Sequence, residues 1–154
     1  MASGVPGHTE LVDGVIYEVS PRNPPHVYAV RVLIEYLARG LDWNTYAIQV
    51  QDPIAVAGWK GPHAPEVDVA VVRKKRYETT TEAIDTLAAI EVADTTYLDD
   101  RNVKIPLYIA AGIPAWIVNI PERKVESYGP ERRDYHEGES FEVLGVTIPV
   151  SDLF

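Results

Sequence analysis

Asp68, Glu91 and Lys104 are the residues of this 154-residue chain whose types and spacing could do chemistry together. Asp68 lies in the apolar run "VDVAVV" (67–72) and Glu91 in "TLAAIEVA" (86–93). Both runs are nearly continuous in apolar residues rather than alternating, so they read as central strands covered on both faces. A carboxylate in such a run is costly unless it finds a partner or keeps its proton. Paired antiparallel with their ends in step, the runs bring Asp68 opposite Glu91 and Val72 opposite Leu87. Cβ atoms of directly opposed residues lie roughly 4.5–5.5 Å apart, and two like charges there repel. A divalent cation removes the conflict, because magnesium-type ions take carboxylate, water and phosphate oxygens. The plainer alternative is that Asp68 caps a strand end in solvent and Glu91 pairs with a surface lysine or arginine. Spacing alone leaves both readings open.

In "LDDRNVK", Asp100 and Lys104 are four residues apart, on one face of a helix. They form either an ordinary intrahelical ion pair or something more useful. In the second case Lys104 reaches back over the end of the Glu91 strand, where its ammonium can orient a water or offset charge on a phosphoryl oxygen.

The elements that must position these residues are legible in outline. "ELVDGVIYEVS" reads as a hairpin turning at Asp13-Gly14. After the turn-rich "SPRNPP", Val27, Val30, Leu33, Ile34, Leu37 and Leu41 recur at helical spacing, with Gly40 near the stop. "WNTYAIQVQDPIAV" predicts one or two strands with an edge or bulge at Pro53. "YLDDRNVKIPLYIAAG" predicts a helix that buries Leu98, Val103, Leu107 and Ala111, with Pro106 forcing a kink or a restart near Asn102. "AWIVNI", "KVESYG" and small strands around Glu137-Gly138 complete the order. The expected fold is α/β: a mixed, twisted sheet flanked by two main helices, in one domain over 1–154 with 1–9 a flexible N-terminal segment.

Composition narrows the function. Asp and Glu number 23 against 14 Lys and Arg, a formal charge of −9, which argues against a broad electrostatic grip on phosphates and leaves room for a local one. With no Cys there is no disulfide framework and no thiolate metal site. No apolar run is long enough for a membrane span and the N-terminus lacks a signal-peptide core, so a cytoplasmic protein without a membrane partner is expected. Arg73, Lys74, Lys75 and Arg76 form the one basic run and the candidate nucleic-acid contact, although such runs are more often solvated loops. Of the histidines, His26 opens the first helix, while His8, His63 and His136 read as surface loops. Trp43, Trp59 and Trp116 read as packing residues. Neither a glycine-rich phosphate loop nor a serine-nucleophile elbow is present.

With these residues in view, the chain resembles the Uma-two family of putative restriction endonucleases, within the PD-(D/E)XK nuclease superfamily. The likeness runs from about Glu10 to Phe154. It rests on "ELVDGVIYEVSP" with the following His26, "VQDPI", "PEVDVAVVR", "IEVADTTYLDDRNVKIPLYIAAGIPAWIVNI" and the closing "LF". The resemblance implies a restriction-endonuclease-like fold and a site for magnesium or manganese. In it Asp68 matches the motif aspartate, Glu91 the metal-binding glutamate, and Lys104 a lysine that stands in for the missing strand lysine. Glu18 and His26 match recurrent positions near the site, and Asp100 adjoins it. Val67 stands where the motif has proline, Ala93 where the superfamily has its lysine, and Asn119 where relatives often have Asp.

The resulting expectation is a Mg- or Mn-dependent endonuclease acting on DNA, as a homodimer whose free edge is "KVESYG" or the C-terminal strands. The competing class is a non-catalytic, oligomeric binding module on a degenerate nuclease fold, favoured by the acidic balance and by Ala93.

Overall fold

A computed structural model describes residues 9–12, 14–18, 23–58 and 61–154, with the side chains at 9, 10, 17, 18, 58 and 61 outside the description. The chain begins with a hairpin, β1 (Thr9–Val12) and β2 (Val15–Glu18), in which Val12 faces Val15 and Gly14 takes φ +74. Thr9 is thus already in a strand, and residues 1–8 of the expected flexible segment lie outside the described residues. Helix α1 (Pro24–Gly40) follows, then β3 (Tyr46–Gly58), β4 (Gly61–His63), β5 (Glu66–Arg73), the short β6 (Thr81–Glu82) and β7 (Thr86–Ala93). A continuous helical run comes next: one turn of α2 (Tyr97–Asp99), a π-helical turn (Asp100–Lys104) and α3 (Ile105–Ala110). Strands β8 (Ala115–Asn119), β9 (Lys124–Tyr128), β10 (Arg133–His136), β11 (Ser140–Val143) and β12 (Val146–Pro149) close the chain.

The central sheet has eight strands in the order β10-β9-β8-β7-β5-β3-β4, with β6 attached to β3. It is mixed, because β7–β8 and β3–β6 are parallel while the other pairs are antiparallel. Strands β5 and β7 are central and buried on both faces, as continuous apolar runs require. One face packs Val69, Val71, Ile90 and Val92 against α1 and the β11–β12 hairpin. The other packs Val67, Ala70, Ala89 and Ala93 against Ile105, Tyr108 and Ile113. The fold is therefore a mixed α/β arrangement with one long and one short main helix. No helix among the described residues is long and apolar enough to cross a membrane.

Several sequence expectations are corrected. Along β5 and β7 the expected register holds from Val69↔Ile90 to Val71↔Ala88, but Val72 faces Thr86 rather than Leu87. A bulge places the extra residue in β7 and shifts the rest of the ladder. The segment around Pro53 is one 13-residue strand, with its distortion at Gln51, φ 54. Small strands do flank Glu137-Gly138, β10 before it and β11 after it, and a further hairpin, β11–β12, turns at Leu144-Gly145, both with positive φ. "KVESYG" is not an edge, because β9 pairs with both β8 and β10. Trp116 is buried as expected, whereas Trp43 is exposed and His63 is buried.

The largest correction concerns the helical run. Leu107 and Ala111 are half-buried against the core as expected, but Leu98 and Val103 are exposed; the residues buried deepest are Asp100, Ile105 and Tyr108, with Lys104 beside them. The inner face is the one that meets the site, so it is polar where hydrophobic periodicity looks for apolar residues. Pro106 lies inside the continuous run, two residues past the π turn, and that turn lies across Asn102, the irregularity a proline in a helix leads one to expect.

Gly40 ends α1 by close approach rather than by a left-handed turn: the cap residue Leu41 is extended at φ −85, ψ 146. A Cβ on Gly40 would lie 2.7 Å from Cγ2 and 2.9 Å from Cγ1 of Val146, in β12. In an unobstructed helix Gly→Ala gains up to about 1 kcal/mol. Here Gly40→Ala is expected to reverse the sign and cost about 1–3 kcal/mol by overpacking a stiff valine. Thermal melts of the two proteins decide between the signs.

Candidate active site

The C-terminal end of β7 lies beside the N-terminal end of β5, and α1 begins at the same place. Asn23 caps α1 by accepting the His26 N–H at 3.1 Å, and its Nδ2 donates to Asp94 Oδ2 at 2.5 Å. That clasp fixes the start of α1 to the residue just past β7, and it places the His26 ring beside Asp68.

Asp68 is buried, with Oδ1 3.2 Å from His26 Nε2. Its Oδ2 accepts the backbone N–H of Val92 at 2.8 Å. The backbone ladder between β5 and β7 is regular as far as Val69↔Ile90; one step further, the Asp68 side chain takes up a β7 backbone donor. Burial by itself raises the Asp68 carboxyl, but the His26 contact, the Val92 N–H and the nearby Lys104 ammonium outweigh it and hold the group below its usual range. His26 Nδ1 is buried and has no hydrogen-bond partner among the described residues.

Glu91 is almost completely enclosed, at 1% exposure. Its Oε1 accepts the Tyr108 hydroxyl at 2.5 Å and lies 3.7 Å from Lys104 Nζ. Burial pushes its carboxyl well above the ordinary glutamate range; Lys104 opposes this, Asp100 and Asp68 add to it, and the Tyr108 hydrogen bond offsets only a part. Tyr108 is itself pushed well up by burial and by Glu91, so its phenol keeps its proton and acts as a donor. Two carboxylates in one corner are thus driven in opposite directions.

Lys104 comes from the π turn and spans the site. Its Nζ donates to the carbonyl of Glu66 at 2.9 Å and lies 3.7 Å from both Glu91 Oε1 and Asp100 Oδ1. It therefore faces Asp100 within the helical run and also reaches Glu91 at the end of β7. Asp100 is buried and accepts the Thr96 hydroxyl at 2.9 Å. The donor set at this corner is made of hard oxygens from Asp68, Glu91 and Asp100. Among the described residues no group of three or more His, Cys, Asp and Glu is disposed to hold a metal ion on its own.

Other sequence candidates lie elsewhere. Arg73–Arg76 follow the C-terminal end of β5, five or more residues from Asp68, which at about 3.3 Å per residue is ~17 Å or more along the strand. Arg73 and Lys75 face Asp85, at 3.9 and 2.5 Å, and Arg76 faces Glu78 at 2.9 Å. The basic run is thus not brought to the cluster. Glu18 closes β2, and its side chain lies outside the described residues. Sequence reasoning passed over Tyr108, although its position four residues after Lys104 and eight after Asp100 was the available signal.

The family model described as "Putative restriction endonuclease", Uma2, matches residues 4–154. No curated protein matches the chain. Among solved structures, a putative nuclease belonging to DUF820 from Anabaena variabilis is similar with a TM-score of 0.74. Identity to it is 15%, over 97% of this chain and 93% of that one, so the likeness is one of fold. On the match across nearly its whole length, the chain belongs to the Uma2 family of putative restriction endonucleases.

Proposed function

We propose that the protein is a metal-dependent phosphodiesterase acting on nucleic acid, with DNA the first candidate. The observation that carries the reading is that Asp68 and Glu91, from neighbouring strands, lie near enough for their charges to act on one another, with the Lys104 ammonium 3.7 Å from Glu91 and acting on both. Family membership points the same way.

The residues fit a hard divalent cation in chemistry: burial first, and then the neighbouring Asp100 and Asp68 charges, raise Glu91, and a cation would offset both. Asp68 and Glu91 would hold magnesium or manganese, with the Val92 carbonyl beside them and waters and phosphate oxygens filling the remaining positions. When bound, such an ion supplies polarisation of a phosphoryl oxygen and a water of lowered pKa. The chain's own contribution is placement. Tyr108 holds the Glu91 carboxylate, and His26 and the Val92 N–H hold that of Asp68. Lys104, fixed by the Glu66 carbonyl, would orient the water or offset charge growing on the phosphoryl oxygen. Phosphate contacts would come from groups nearer than Arg73–Arg76: Arg101 is exposed in the π turn. Arg31, exposed on α1, is a further candidate, and Arg22, the other, lies outside the described residues. We also propose a homodimer, the commonest symmetric assembly and one suited to a duplex; light scattering that reports only monomer at micromolar concentration removes that part.

The direct test is cleavage of single- and double-stranded DNA and RNA with magnesium, manganese or chelator at low ionic strength. Binding should weaken with salt at a log–log slope of roughly −0.9 per phosphate contacted on duplex DNA. If the protein neither binds nor cuts any of these, the non-catalytic binding module is the better reading. Within an active protein, Lys104→Ala is expected to lower turnover by roughly 10²-fold, the scale for losing one preorganised charge-stabilising group, while stabilisation by manganese persists. Equal turnover in the variant would reduce Lys104 to a structural ion pair with Asp100.

A further inference from the structure

Another buried carboxylate lies two strands from Glu91 and has no part in the chemistry above. Glu126, on β9, is 0% exposed. Its Oε1 accepts from Tyr97 OH at 2.9 Å, Tyr128 OH at 2.8 Å and Arg132 at 3.0 Å, and its Oε2 accepts from Asn119 Nδ2 at 3.2 Å. A fully desolvated carboxylate in the middle of a strand is expensive, and four donors are a large investment for a sheet that an aliphatic residue would serve.

Its position explains the expense. Cross-strand partners run Glu91↔Ile117↔Glu126, so the two glutamates leave the same face of the sheet in one row, roughly 10 Å apart at the usual strand spacing. The helical run lies over that face. Tyr108, at its far end, is bonded to Glu91; Tyr97, at its near end, is bonded to Glu126. Asp100 and Lys104 lie between the two tyrosines. In the first turn Tyr97 supplies the bond to the sheet: the Thr96 hydroxyl donates to Asp100 within the run itself, and Leu98 and Asp99 are exposed.

We propose that Tyr97 and Glu126 are positioning residues for the site: the Glu126 carboxylate pins the first turn of the helical run and so sets where Asp100 and Lys104 stand relative to Glu91. The proposal rests on the nuclease reading for its catalytic consequence, while the tether itself can be observed without catalysis.

The test compares two full-length variants that each delete one hydroxyl from the same carboxylate oxygen. Tyr97→Phe cuts the link to the helix, whereas Tyr128→Phe cuts a bond from β9 itself. In Tyr97→Phe, amide hydrogen exchange over 97–104 is expected to accelerate, and kcat for metal-dependent DNA cleavage to fall roughly three- to tenfold with KM unchanged. Tyr128→Phe should leave exchange over 97–104 and kcat at wild-type values. Unchanged exchange in Tyr97→Phe, or equal effects from the two variants, overturns the tether. Faster exchange with unaltered kcat in an active enzyme overturns the positioning role. A wild type that cuts nothing sinks the nuclease reading instead, and the exchange comparison still decides the tether.

Discussion

Asp68→Asn is expected to abolish phosphodiester cleavage, by roughly 10³-fold or more, while nucleic-acid binding survives. The size follows from losing a hard anionic ligand together with the several kcal/mol of charge stabilisation that a bound cation supplies. Folding should tolerate the change, because an asparagine carbonyl can still accept the Val92 N–H that Asp68 Oδ2 takes at 2.8 Å. Removing the negative charge also reduces repulsion of phosphate, so binding at low salt should hold or tighten. The measurements are cleavage rate and equilibrium binding on the same oligonucleotide, with a thermal melt to show that the variant is folded. Cleavage within tenfold of wild type would remove Asp68 from the mechanism.

The second large effect runs in opposite directions for stability and activity. Glu91 is raised well above its ordinary range, first by burial and then by Asp100 and Asp68. A carboxyl whose folded pKa lies above its unfolded value binds more protons in the native state. Its favourable contribution is complete below the unfolded value and is lost as pH rises from there through the folded value. Glu91→Gln removes that loss and keeps an acceptor for the Tyr108 hydroxyl. In chelator at neutral pH the variant is expected to be more stable by about 1–3 kcal/mol, which at this chain length is several degrees in Tm, and to be inactive. The difference between the two proteins should shrink as pH falls into the ordinary carboxylate range. A variant that melts lower than wild type at neutral pH would show that the Lys104 pair repays the burial of Glu91.

How much of this was legible in sequence depends on which physical signal each residue leaves. The register next to Asp68 and Glu91 was readable because two apolar runs set with their ends in step predict it, and the ladder keeps it from Val71↔Ala88 to Val69↔Ile90, one step short of the two carboxylates. The bulge that sets Val72 against Thr86 leaves no such mark, because Leu87 is as apolar as its neighbours. In the helical run the expected apolar stripe holds for Leu107 and Ala111 but fails for Leu98 and Val103, because hydrophobic periodicity finds apolar stripes and the face turned to the sheet there carries Asp100, Lys104 and Tyr108. Arg73–Arg76 are near Asp68 in number only, since an extended strand carries its two ends apart. Glu126 was invisible for the converse reason: "KVESY" alternates like any half-exposed strand, and its burial is created by Tyr97 and Arg132, which arrive from elsewhere in the chain.

The π turn bears on how the length of this segment is constrained. The Ile105 N–H closes on the Asp100 carbonyl, so the chain goes round once with one more residue than an α-helical turn uses. Deleting a residue from the exposed stretch Arg101–Val103 would let the turn close in the α form, and Tyr97 and Tyr108 would keep their facing toward the sheet. What would change is the spacing of Asp100 and Lys104, from four residues to three. The supernumerary residue is therefore neutral to the scaffold and decisive for the corner it serves. Insertions and deletions here should be tolerated by folding and rejected by selection for activity, whereas substitutions at Asn102 and Val103, both exposed, are free to accumulate under both.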